Sequence, residues 1–219
     1  MAKCISFAPD RKEEIFSILI KALRSGQVVA IPTETYYGLA VDPFEEQALE
    51  RLFRLKRRPA SKPVPVIIGK REQLTLLVQK ISESHRLLIE RFWPGPLTLL
   101  FWAKPGLPDL LTGKAKKVAV RLTSHPLAQE LAAVFGPLTA TSANLSGASP
   151  AVKAEEVLRE LPDVDLVLDA GVCPGKVPST LLDLTVDPPQ ILREGRVTKD
   201  ELCTFLPQIA LEKRKCPRP

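Results

Sequence analysis

Residues 118–142 read VAVRLTSHPLAQELAAVFGPLTATS. An apolar, β-branched run, Val118–Leu122, carries one arginine near its end. It gives way to a helical stretch over 126–135, with Pro126 suited to the first turn. After Gly136-Pro137 comes a second short strand, Leu138–Thr141. Strand, helix and strand in such quick succession is the unit from which α/β sheets are built. The same alternation extends outward. Toward the N-terminus, Ile15, Ile18, Leu19, Ala22 and Leu23 recur at helical spacing. Asp10 and Glu13 predict a capping box ahead of them, and Gly26 a stop behind. A strand follows at 28–31, a helix at 45–56, and a strand at 64–68, where Pro65 points to a sheet edge or irregular pairing. Helices at 71–79 and 84–92 and a strand at 98–103 complete this half. Toward the C-terminus come a helix at 153–161, strands at 166–169, 181–186 and 191–193, and a helix at 199–206. Strands alternate with helices early and cluster late. The expected fold is therefore α/β, an open twisted mixed sheet with flanking helices. Residues 104–117 (KPGLPDLLTGKAKK) are expected to form a mobile loop.

A chain of 219 residues suits one domain with a full core. That domain is placed at 1–206, and 207–219 reads as a basic, disordered tail. Lys213, Arg214, Lys215 and Arg218 against Glu212 supply half of the net charge of +6. Cys4, Cys173, Cys203 and Cys216 share no metal-ligand spacing and suggest no disulfide framework, which fits a reducing compartment. No targeting segment and no apolar run of ~20 residues is present, so a cytoplasmic protein without membrane attachment is expected. Gly106 lies too far from Gly113-Lys114-Ala115 for a phosphate-binding Walker loop, and Ala115 lacks its hydroxyl. No G-x-G-x-x-G or G-x-S-x-G occurs, and two histidines give little support to a histidine-based hydrolase.

Uncommon polar groups instead gather just past apolar strands, where α/β sheets bind ligands. PTETYYGL (32–39) offers hydroxyls and a glycine that permits close approach; a plain turn has the same composition. Lys56-Arg57-Arg58, with Lys62, reads as a phosphate grip or a solvated charge run. WPGPLT (93–98) is scaffolding around a buried tryptophan. Arg121 either receives a carboxylate or pairs with an acid of this chain, and His125 is a cap or packing residue. TSANLSG (141–147) is a nest for phosphate or ribose, or a polar loop. Ser179 and Arg193 stand by two further strands, where ordinary turn chemistry competes with anion binding.

Taken in order, PTETYYGL (32–39), KRRP (56–59), WPGPLT (93–98), VAVRLTSHP (118–126), TSANLSG (141–147), STLLDLT (179–185) and ILREG (191–195) resemble the YrdC/TsaC family. The resemblance implies a YrdC/RibB-like fold with a concave, basic cavity. It implies a threonylcarbamoyl-AMP synthase, a nucleotidyltransferase that condenses L-threonine, bicarbonate and ATP with release of pyrophosphate. Magnesium accompanies ATP, and a downstream complex passes the threonylcarbamoyl group to tRNA. By position, Thr33, Arg121 and Ser179 are implied for threonine. Lys56, Arg58, Lys62, Thr112, Ser142, Asn144 and Arg193 are implied for ATP, with Thr112 acting when its loop closes. Two departures stand out: no histidine occurs in Val64–Ile68, and Thr123 replaces a proline common after the arginine. The length matches the family's short type, which lacks the extra C-terminal domain of longer members. Two rivals remain at this point. One is a non-catalytic RNA-binding module. The other is the carbamoyl-adenylating module of hydrogenase maturation, which sits in a much longer chain with paired cysteines.

Overall fold

The structure, a computed structural model, describes residues 2–206, so the tail expected over 207–219 lies outside the described residues. The chain runs β1 (Lys3–Ser6), α1 (Lys12–Arg24), β2 (Val29–Ile31), β3 (Gly38–Ala40), α2 (Glu46–Lys56), β4 (Val66–Ile68), α3 (Glu83–Phe92) and β5 (Leu97–Trp102). It continues α4 (Asp109–Thr112), β6 (Lys117–Leu122), α5 (Pro126–Phe135), β7 (Leu138–Thr139), β8 (Thr141–Ser142), α6 (Ala154–Glu160), β9 (Leu166–Asp169), β10 (Thr180–Asp183), β11 (Gln190–Arg193) and α7 (Lys199–Phe205).

The strands form two mixed sheets. One has the order β1-β9-β2-β3-β8 and the other β11-β10-β5-β6-β4-β7. The central strands β2 and β4 are wholly apolar because both their faces are covered. On β2, Ala30 joins one core while Val29 and Ile31 join the other. On β4, Val66 and Ile68 join the first and Ile67 the second. The first core also takes Ala48, Leu49, Leu52 and Phe53 of α2; the second takes Ile15, Leu19 and Leu23 of α1 and Leu131 of α5. The chain crosses between the sheets three times, from β3 to β4, from β7 to β8 and from β9 to β10, and the second crossing takes a single residue. Ala140 separates β7 from β8, and its amide donates to Pro65 O at 2.9 Å. Beside it, the Thr139 hydroxyl donates to Leu39 O and accepts from Val41 N, both at 3.0 Å.

Several expectations are corrected. The expected α/β fold with mixed strands and flanking helices is present, but the strands fall in two sheets, and the strand read at 138–141 breaks at Ala140 with β7 in one sheet and β8 in the other. No capping box forms at Asp10. Pro9–Arg11 take a 3-10 turn, so α1 starts one residue later, at Lys12, and the side chain of its N-cap, Arg11, makes no cap bond and pairs with Glu14 instead. β4 is not an edge strand, since it lies between β6 and β7. Pro65 precedes it and removes no ladder donor. The helix expected at 71–79 is a 3-10 segment, Arg71–Leu76. Gln73 is turned to serve Gly69 N at 2.8 Å and Ala132 O at 2.7 Å. The stretch 104–117 contains the helical turn α4, pinned by a Lys116–Asp109 ion pair. β1 and β3 were not anticipated. Trp93 is buried as expected and donates its indole N–H to Leu97 O at 2.7 Å.

Tyr37 shows how loops are tied to this frame. Its ring is fully buried and its hydroxyl donates to Gly171 O at 2.8 Å. Burial raises the phenol far above its ordinary range, so it stays a donor. Tyr37→Phe is expected to cost about 1 kcal/mol, the net worth of one such bond. Urea unfolding measures it; an unchanged midpoint would show that the bond adds nothing to stability.

Candidate active site

Both sheets end at one cleft of about 260 Å³. Gly38, Thr141 and Ser142 line it from the first sheet; Ile67, Thr98, Arg121 and Arg193 line it from the second. Thr33, Thr35, Arg58, Pro178 and Ser179 close it from the loops. Pockets that engulf a whole small molecule have roughly 300–1,000 Å³. This hollow therefore fits an amino-acid-sized group, and a nucleotide would extend across the rim.

Three guanidiniums, of Arg58, Arg121 and Arg193, give the cleft its charge. Arg58 is aimed by an unusual turn. Arg57 caps α2 in the left-handed region (φ 50°), with Arg58 N bonded to Phe53 O at 2.9 Å and Arg57 N to Arg54 O at 3.0 Å. The Arg58 guanidinium then donates to Lys62 O at 2.7 Å and Pro63 O at 2.9 Å. Burial lowers its pKa. Arg193, near the end of β11, donates to Ser179 O at 3.1 and 2.9 Å and to Ser179 Oγ at 3.0 Å. Its pKa is lowered by burial first and by the charge of Arg121 second. The Ser179 hydroxyl also meets Thr98 Oγ1 at 2.9 Å. Thr98 is a lone polar residue on an apolar strand and is 2% exposed; that oddity was its only signal in the sequence.

Arg121 sits near the end of β6, opposite Ile67, and is ion-paired with Glu34. Of the two readings open from sequence, pairing with an acid of this chain is the one present here. Nothing in the PTET segment itself marks Glu34 as that acid. Thr33 is 2% exposed; its hydroxyl donates to Tyr36 O at 2.7 Å and accepts from Thr35 N at 3.2 Å, which shapes the loop.

Four residues implied for ATP do not line the cleft. Lys56 is 1% exposed and donates to Ser142 O and, at 2.7 Å, to Asn144 O. It therefore braces the 141–147 loop from below. Helical spacing carried the signal, because Leu49, Leu52, Phe53 and Lys56 share the buried stripe of α2. Burial, then the nearby Arg58 charge, pushes the Lys56 ammonium down to about 7. Asn144 closes the same loop, donating to Leu145 O at 2.8 Å and Ala148 O at 2.6 Å. It accepts from Ser142 Oγ at 2.5 Å, and Ser142 is the member of the pair that faces the cleft. Lys62 is exposed and contributes a carbonyl to Arg58. Thr112 is buried in α4 with its hydroxyl on Pro108 O at 3.1 Å. Among the described residues, no three His, Cys, Asp or Glu side chains converge on a metal-sized site, and no helix is long and apolar enough to cross a membrane.

The family model for Sua5, YciO and YrdC proteins, described as telomere recombination, matches residues 21–195. A threonylcarbamoyl-AMP synthase of Pyrococcus abyssi is 37% identical over 191 residues, covering 86% of this chain and 56% of that protein. One from Vibrio campbellii is 36% identical over 184 residues, covering 82% of this chain and 98% of that one. The crystal structure of Pyrococcus abyssi Sua5 complexed with L-threonine superposes with a TM-score of 0.89 at 34% identity. It covers 95% of this chain and 62% of that chain. The chain thus spans little more than half of the Pyrococcus protein and nearly all of the Vibrio one.

Proposed function

Because this chain belongs to the Sua5/YciO/YrdC family, we propose that it is an enzyme forming threonylcarbamoyl-AMP from L-threonine, bicarbonate and ATP, a nucleotidyl transfer that releases pyrophosphate. The carrying observation is the convergence of Arg58, Arg121 and Arg193 with the hydroxyls of Thr98, Ser142 and Ser179 on one cleft. Its chemistry is that of gathering anions. Threonine and bicarbonate condense to a carbamate with loss of water. A carbamate oxygen then attacks the α-phosphorus of ATP, and pyrophosphate leaves. The carbamate of threonine and the triphosphate are both anionic, so the two groups that must meet repel. Fixed guanidiniums offset that repulsion and hold the partners in line.

In this reading, Arg121 and Ser179 receive the threonine end, with Thr33 shaping the loop beside it. Arg58, Arg193 and Ser142 receive the nucleotide. Lys56 and Asn144 hold Ser142 in place, Lys62 acts through the carbonyl that fixes Arg58, and Thr112 acts only through the α4 turn it closes. Magnesium enters on the triphosphate. The product is a reactive mixed anhydride that a tRNA-modifying transferase would consume, which agrees with a cytoplasmic setting.

The test mixes the purified chain with ATP, magnesium, bicarbonate and L-threonine and follows pyrophosphate, with threonine omitted as control. Release that needs both threonine and bicarbonate is the expected result. A folded protein that releases none, yet binds RNA with steep salt dependence, would sink the proposal in favour of a non-catalytic module. Arg193→Ala is expected to lower kcat/KM by roughly 10²-fold, because it removes one fixed donor and frees Ser179. Unchanged kcat/KM would take Arg193 out of the site.

A further inference from the structure

Glu34 stands behind the cleft wall, absent from its lining, with both carboxylate oxygens engaged. Oε1 is ion-paired with Arg121 Nη1, and Oε2 accepts from Thr123 Oγ1 at 2.6 Å. The side chains of Arg121 and Glu34 are 7% and 11% exposed, and Thr123 is fully buried. Thr123 Oγ1 in turn accepts from His125 N, at 3.3 Å, where α5 begins. Its one proton is thereby directed at Glu34. A continuous set of contacts thus runs from the start of α5 through Thr123 and Glu34 to Arg121, and from there to the cleft.

The arrangement answers two physical needs. An arginine side chain has about 2 kcal/mol of rotamer entropy, and a carboxylate held at both oxygens removes that freedom before a ligand arrives. Arg121 also faces like charge, being close enough to Arg193 to depress that residue's pKa. Glu34 offsets one positive charge without entering the cleft. The guanidinium has five N–H donors, so a carboxylate on Nη1 leaves others for a second anion.

We propose that Glu34, locked by Thr123, is the positioning residue that aims Arg121 at the carboxylate of the amino-acid substrate, and so sets selectivity for that substrate rather than for the nucleotide. This rests on the reading that the cleft takes L-threonine. The opposite role, with Glu34 competing against the substrate for Arg121, predicts the reverse sign.

The experiment measures pyrophosphate release by the full chain, varying threonine and ATP separately, for the wild type, Glu34→Gln, Thr123→Val and Thr123→Ser. Glu34→Gln is expected to raise the threonine KM about tenfold and to leave the ATP KM within about twofold. Thr123→Val should raise the threonine KM about threefold, and Thr123→Ser should restore it, because only a hydroxyl-dependent role is rescued by serine. Equal rises in both KM values, a fall in the threonine KM of Glu34→Gln, or a wild-type threonine KM in Thr123→Val would overturn the proposal. If Glu34→Gln does not fold, the Val/Ser pair decides. If the wild type shows no threonine-dependent release, the functional reading fails instead. Calorimetric titration of L-threonine into the wild type and Glu34→Gln then decides the positioning role, with equal affinity or no binding to either counting against it.

Discussion

Gly195→Ala is expected to lower kcat/KM for pyrophosphate release by about 10²-fold, the scale of loss that follows a ~1 Å misplacement of reacting groups. A Cβ on Gly195 would lie 2.4 Å from Pro178 O, 2.5 Å from Ser179 C and 2.5 Å from Thr180 N. All three are backbone atoms, so no side-chain rotation relieves the clash. The segment that must yield carries Ser179, and its carbonyls already bind Arg193 and, at 3.0 Å, Arg196 N. The added methyl therefore moves Ser179 and the Arg193 fork together. Overpacking of this kind costs about 1–3 kcal/mol, less than the 5–15 kcal/mol of a typical domain, so the variant should still fold. Circular dichroism alongside the assay separates the two effects. Wild-type activity in a folded Gly195→Ala protein would show that residues 178–180 give way without disturbing the site.

The second large effect is expected at Lys56. Lys56→Met keeps the aliphatic stem and removes the nitrogen that serves Ser142 O and Asn144 O. Each orphaned buried carbonyl costs about 1–3 kcal/mol, and losing the buried ammonium returns part of that. A net loss of about 2–4 kcal/mol is expected in chemical denaturation, together with a disordered Ser142 edge and weaker ATP use. The pH dependence has a definite sign. The folded-state pKa, about 7, lies below the ordinary lysine value of 10.5. Between those values the unfolded chain binds the extra proton, so stability rises with pH across that window and is lowest, as far as this group decides, below it. A neutral amine still has two N–H groups, enough for both carbonyls. Denaturation midpoints should therefore climb from pH 7 to 9 in the wild type by more than in Lys56→Met. Parallel profiles would mean that Lys56 keeps its proton throughout.

How legible the molecule was depends on distance along the chain. Local periodicity found α1, α2, α3 and α5 and most strands, because an amphipathic face or an apolar run is a property of neighbouring residues. Arg121 was legible for the same reason, as a lone charge near the end of an apolar strand. Its partner was not, since Glu34 lies 87 residues away and nothing near either residue encodes the pairing. The burial of Lys56 is hidden in the sequence because it heads a run of cations. The apolar residues that precede it set its direction. The break between β7 and β8 is one residue between two-residue strands, too short a signal for any periodic reading. β3 was hidden inside a glycine-containing loop, and β1 pairs with the distant β9.

The crossing at Ala140 has a mechanical consequence. The cleft floor is one unbroken covalent span, stitched on one side to Pro65 and, through Thr139, to Leu39 and Val41 on the other. The two sheets cannot part there like the halves of a clamshell without tearing several buried backbone contacts. Movement that admits a ligand would then fall to the loops that close the cleft around Arg58 and around Pro178-Ser179. Below them the sheets act as a stiff anvil.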